Sequence, residues 1–319
     1  MAWPDGGTNE VVKTVGATAR DHSTILAWEA ETDEDCTAGW GAGDYSAACS
    51  PVGDCYDDAD FSERAYPNGA TTSENYYRTL TVHEGQRHSG KGGDGATLTD
   101  DNLGALAIRD KYFVFEWFIL GGTRGEFGPY YCPENSRIMV RNCVSVGTGA
   151  YAFYADQPGA GSLTYLRNCS ATGFSTYGAR KYTYTQNVSV YAANAYLVRD
   201  SECTNVIACG GTSGCFYFCT GDYNIGSDAT APGANSVDNI AGADLFVNVA
   251  SDLHLKSGTT DAAGAGSDLS ASFTDDIDGD TRSDWDIGAD EYDSGGGGLA
   301  ADIILTMWMK RRKYSLIER

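Results

Sequence analysis

Four segments of this chain repeat one short phrase: Arg141-Asn142-Cys143-Val144, Arg167-Asn168-Cys169-Ser170, Gln186-Asn187-Val188-Ser189 and Thr204-Asn205-Val206-Ile207. The asparagines stand 26, 19 and 18 residues apart. A repeat near twenty residues with uneven spacing is the mark of a solenoid, and short β-favouring stretches make it a parallel β-solenoid. One coil cannot bury its inner face alone, so like residues stack from coil to coil. Asn142, Asn168, Asn187 and Asn205 are expected to form a hydrogen-bonded structural ladder, with Cys and Val filling the interior.

Composition agrees with many short strands and tight turns: 40 Gly, 20 Tyr and few strongly helical stretches. The net charge of −22 repels phosphate, which excludes nucleic acid as a partner of the main body. The opening Met1–Gly7 has neither the basic start nor the apolar run of a secretory leader, so synthesis for a cytoplasm is expected. The ten cysteines then read as thiols, with disulfides or a metal site as alternatives. Cys203, Cys209, Cys215 and Cys219 are even-spaced, as residues sharing a strand face would be.

Residues 1–70 read as an N-terminal cap with acidic loops. Within them Asp21–Ala30 has helical spacing, with Asp21 or Ser23 as the cap and Ile25, Leu26, Trp28 and Ala30 toward the core. Residues 71–256 read as the β-helix. Phe113, Phe115 and Trp117 alternate as on a half-buried strand, and Leu245–Val247 and Leu253–Leu255 read as its last strands. Residues 257–293 form a C-terminal closure, 294–298 a glycine linker, and 299–319 an apolar and basic segment.

Asp276–Tyr292, DIDGDTRSDWDIGADEY, resembles the terminal motif DIDGDxR…DIGADEY of bacterial and phage right-handed parallel β-helix proteins. Arg20–Cys36 (RDHSTILAWEAETDEDC) with Cys55–Phe61 (CYDDADF) resembles the opening of β-helix proteins of tailed-phage structural modules. The resemblance implies an all-β, right-handed parallel β-helix with a capped start and a short C-terminal docking segment. It also implies a virion-associated protein, assembled in a host cytoplasm. Since β-helices serve as enzymes, adhesins and decorations alike, the fold alone does not choose the role.

Asp276, Asp278 and Asp280 alternate like the first ligands of a calcium loop, and calcium is the cofactor considered. Gly279 precedes the third acid and Ile287 stands where an EF-hand has its last Glu, so this is no EF-hand. A turn in which Arg282 pairs with a nearby Asp is the competing reading. The acidic run Tyr56–Phe61 reads as a solvated turn. No catalytic residues are assigned: His22, His83, His88 and His254 lie in no nucleophile motif. Arg180-Lys181 is the one basic pair near the middle of the solenoid, and Tyr177, Tyr182, Tyr184, Tyr191 and Tyr196 are candidates for stacking on sugars or for packing.

The tail carries the partner expectation. Leu299–Met309 spans about 16 Å as a helix against a hydrocarbon core of roughly 30 Å, so it is too short to cross a membrane. Ile303, Ile304, Leu305, Met307, Trp308 and Met309, followed by Lys310, Arg311, Arg312 and Lys313, are expected to dock into another virion protein of capsid or tail. The reading is a phage decoration or fibre protein, contacting host glycans and open to oligomerisation. A polysaccharide-degrading enzyme (tailspike depolymerase or lyase) and a bacterial surface adhesin are the alternatives.

Overall fold

The computed structural model describes residues 6–99, 106–123, 125–193 and 196–292. The attachment residues Ile303–Lys313 therefore lie outside the described residues. Among these, a 13-stranded sheet and a six-stranded sheet form the walls of a parallel β-solenoid. The large sheet runs in parallel through Arg137–Arg141, Leu163–Thr172, Tyr184–Tyr191 and Glu202–Cys209. The small sheet stacks Leu106–Ile108, Gly125–Pro129, Tyr151–Tyr154, Tyr177–Arg180, Tyr196–Arg199 and Gly214–Tyr217. Parallel neighbours need a crossover, and each coil supplies it by passing through the other wall.

The repeated asparagine sits at a bend inside the large sheet. The pairs Arg141↔Arg167 and Val144↔Ser170 place Asn142 opposite Asn168, and Gln186↔Thr204 and Val188↔Val206 place Asn187 opposite Asn205. All four have left-handed backbones, with φ of 50°, 45°, 51° and 56°. A Cβ disfavours that region, and Asn tolerates it better than other side chains because its short amide bonds locally. The bend also shifts the in–out alternation by one residue. Cys203 faces the core before Asn205, and Val206 and Ala208 face it afterwards. Trp117 (φ 71°) and Tyr223 (φ 58°) hold the same bend on the flanking coils, so the strand read through Trp117 ends at Glu116.

That shift overturns the single cysteine face. Cys203 and Cys215 lie in the main core, whereas Cys209 points outward into a second cluster with Ile207, Leu245 and Phe246. Cys143, Cys169, Val188 and Val206 stack inside, as the phrase implied. All ten cysteines are free thiols, and nine are buried.

The N-terminal helix spans Ile25–Thr32. Its cap is Thr24, whose Oγ1 accepts from Ala27 N, rather than Asp21 or Ser23. Asp21 instead accepts from Thr14 N in the first strand. Ile25, Trp28 and Thr32 form the buried stripe, and Leu26 is exposed because it falls between the turns of that stripe. The helix is fastened by Arg78, a fully buried guanidinium that pairs with Asp110 and Glu29 and donates to Thr32 Oγ1. Asp58 of the acidic run accepts from Ala17 N (2.7 Å) and Arg20 Nε (3.1 Å), a structural turn.

Phe246–Asn248 and Asp252–Leu255 are not solenoid strands but an antiparallel hairpin. The hairpin and the closure cover the outer side of the large sheet beyond the bend, where Ile207 and Ile225 pack with Leu253, Leu255 and Ile287. This half of the sheet is buried on both faces, which explains the almost unbroken run of buried residues in Leu163–Thr172.

Asn168 therefore has two duties, a left-handed backbone and a buried amide. Asn168→Leu is expected to cost about 1–3 kcal/mol and Asn168→Gly less, because glycine keeps the bend and loses only the amide. Urea denaturation of the two variants checks the order.

Candidate functional site

The closure docks lengthwise along the asparagine column. Asn142 Nδ2 donates to Asp276 O (2.6 Å) and Asp275 Oδ2 (3.1 Å), and Asn168 Nδ2 to Asp275 O (2.9 Å). Asn205 bonds Asn187 directly (3.0 Å) and also exchanges two hydrogen bonds with the Ser267 backbone. The Asn187 carboxamide lies between Asn205 and the Arg282 guanidinium, 2.9 Å away. The ladder is thus continuous only at its Asn187–Asn205 end, and at the other end its amides hold the closure.

Arg282 is the hub of that closure. Its guanidinium donates to the carbonyls of Asp275, Gly288, Ala289 and Asp290, and its charge partner is Glu291 (3.4 Å) rather than an Asp. Burial lowers its pKa, opposed by Asp276 and the other carboxylates around it.

The three alternating acids are separated by their partners. Asp276 is buried; Oδ1 accepts from Asp278 N and Asp280 N, each at 2.9 Å, and Oδ2 from Glu291 N. Burial, then the charge of Asp278, pushes Asp276 up to about 6. Asp280 is exposed. Asp278 turns to His254, with its oxygens 3.1 and 3.2 Å from Nε2. His254, Asp278 and Asp290 bring donor atoms within 4.8 Å of one another, and Asp252 accepts the other ring nitrogen of His254. Burial opposes the charge on His254, but Asp278, Asp290 and Asp252 outweigh it and hold the imidazolium up to about 9. Sequence spacing gave no sign of this group, because its members come from the hairpin and from two separate turns.

A second assembly lies on the small sheet. The register places Tyr151, Tyr177 and Tyr196 in one row and Tyr154, Arg180, Arg199 and Tyr217 in another. The Tyr151–Tyr177 and Tyr177–Tyr196 rings stack at 5.6 and 6.1 Å. Arg180 lies 4.7 Å from the Tyr177 ring and 5.1 Å from that of Tyr154, while Arg199 lies 5.1 Å from Tyr217. Toward the start of the solenoid, Arg109 contacts Tyr66, Tyr130 and Tyr131, and Arg64 contacts Tyr66. Lys181 and Arg199 pair with Asp156 and Asp200. Among the described residues Arg64, Arg109 and Arg180 have no carboxylate partner, and the Nε of each lacks an acceptor. Of the five tyrosines singled out by sequence, Tyr177 and Tyr196 belong here. Tyr182 is buried in the core, Tyr184 stacks on Tyr165 of the large sheet, and Tyr191 packs in the second cluster.

A cavity of about 200 Å³ opens on the large sheet, lined by Glu10, Tyr77, Glu116 and Arg141 among others. Glu116 is engaged by Arg141 at 2.5 Å, which ties up one of its two carboxylates.

His88 gives the closure side a pH dependence. It is buried, donates through Nε2 to Asn142 O (2.8 Å) and accepts Gly90 N at Nδ1, so it is neutral. Burial pushes its pKa down to about 4. The unfolded chain protonates this ring below about 6.5 and the fold does not, so the contribution of His88 to stability is intact above that pH and falls between about 6.5 and 4. The loss reaches about 3 kcal/mol, and His88→Gln should show a shallower fall in urea midpoint over the same window. No family model, no curated protein and no solved structure matches this chain.

Proposed function

We propose that this chain is a non-enzymatic display β-helix, a virion-associated decoration or fibre, whose small sheet holds an extended acidic glycan. The observation that carries this reading is the concentration of Arg64, Arg109, Arg180, Lys181 and Arg199 among tyrosines on one face of a chain with a net charge of −22. A uronate carboxylate fits a guanidinium fork, and sugar faces fit the half-exposed rings of Tyr151, Tyr154, Tyr196 and Tyr217, with Tyr177 buried among them. Five adjacent strands at about 4.8 Å spacing make a track of roughly 19 Å, the length of a short oligosaccharide. The DIDGDTR…DIGADEY resemblance supports the virion setting, and residues 299–319 supply the attachment segment in this reading.

Purified protein should bind a polyuronate such as alginate, more weakly at high salt, and release no unsaturated or reducing ends from it. Arg180→Gln and Arg199→Gln should each weaken binding about five- to tenfold, measured by affinity electrophoresis. Unchanged retention in the double variant, or chain cleavage abolished by one carboxylate substitution, would defeat the reading. For the attachment, deletion of residues 295–319 should leave the β-sheet circular dichroism intact and remove the protein from assembled particles; normal incorporation of the truncated chain counts against it.

A further inference from the structure

Three carboxylates crowd the His254 imidazole. Asp252 sits at Nδ1, Asp278 faces Nε2, and Asp290 completes the group within 4.8 Å. An imidazolium supplies one positive charge to this set. A dication in place of the Nε2 proton supplies two, and it leaves the Nδ1–H to Asp252. A carboxylate on the far ring nitrogen is the usual orienting partner of a metal-bound histidine.

We propose that His254, Asp278 and Asp290 form a zinc site that clasps the closure to the terminal hairpin. The separations of 3.1 and 3.2 Å between Nε2 and the Asp278 oxygens are close to the edge of a tetrahedron with bonds of about 2.0–2.1 Å, roughly 3.3 Å. Asp290 is buried and spends Oδ2 on the Leu255 amide (2.7 Å), which fixes its carboxylate beside the ring. Above the pair the chain passes at Gly90, whose φ is +65°. A Cβ there would lie 2.3 Å from Nε2 and 2.4 Å from Asp278 Oδ1, so any residue but glycine would drive its side chain into these donor atoms. One imidazole with two carboxylates suits zinc, whereas calcium and magnesium ask for six or more oxygens. Asp276 is not among the donors that converge here, and its oxygens serve the amides of Asp278, Asp280 and Glu291. The three ligands come from Asp252–Leu255, the turn after Asp276 and the turn before Tyr292, so one ion would join segments that otherwise meet through the His254–Asp278 ion pair, hydrogen bonds and the packing of Leu253 and Leu255 with Ile287.

The test uses the full chain after dialysis against chelator, with zinc chloride as titrant in calorimetry and cobalt chloride as the spectroscopic probe. One equivalent should bind, the thermal midpoint should rise with zinc, and cobalt should give a d–d spectrum free of thiolate charge transfer, which separates this site from the cysteines. Asp278→Asn and His254→Ala should remove the binding, and Asp252→Asn should weaken it about 10- to 100-fold. If His254→Ala does not fold, Asp278→Asn, whose side chain is part-exposed, decides. Absence of a zinc-dependent midpoint shift, binding undiminished in Asp278→Asn, a thiolate band with cobalt, or tighter binding of calcium than of zinc would each overturn the site.

Discussion

Everything in this solenoid depends on a backbone that turns left at one point of each coil. The large wall is not two sheets meeting at an edge. It is one hydrogen-bonded sheet with a crease, and the crease is a single residue of positive φ in six successive coils, from Trp117 to Tyr223. Asparagine is chosen at four of them for its backbone tolerance. Once placed there, its amide is buried and needs partners. The closure provides them at Asn142 and Asn168, so the internal repeat and the terminal motif are two halves of one interface.

This explains what was readable in advance. The phrase around each asparagine repeats because crease, core and outer face recur in fixed order: Cys143, Cys169, Val188 and Val206 go inward, and Val144, Ser170, Ser189 and Ile207 go outward. The parallel architecture follows from that recurrence. The parity shift could not be read, since it needs φ, and without it Cys203 and Cys209 look equivalent. A second column of left-handed residues, Tyr131, Gln157, Lys181, Asp200 and Phe218, turns the chain after the small sheet. These five share no chemistry, so no repeat announces them. The His254 group was hidden, and of the arginine face only Arg180, Lys181, Tyr177 and Tyr196 stood out, because each assembly gathers residues from different coils or turns.

Charge is sorted by the same geometry. Many acids that look like potential ligands in the sequence serve as acceptors for backbone amides: Asp21 for Thr14, Glu63 for Ile25, Asp222 for Asn235, Asp276 for Asp278 and Asp280, Glu291 for Ser283 and Asp284. A loop-rich chain has many such amides outside its sheets, and carboxylates satisfy them without help from neighbouring strands. An acidic composition here is in good part a way of finishing turns. Arg109, Arg180 and Arg199, by contrast, lie over tyrosine rings of the small-sheet wall.

The closure spans coils that are formed one after another. Residues 266–292 touch Asn142, Asn168, Ser189 and Asn205, so their seat exists only after the strands up to Cys209 are in register. Solenoids propagate from coil to neighbouring coil and can fray from either end in the same way. Here the last segment to find its place bridges four rungs at once and converts a chain of neighbour contacts into a cooperative block. Loss of order in any one of those coils must first lift a strap held by the other three. The lifetime of the folded state is then set less by the coils themselves than by the rate at which this final stretch lets go.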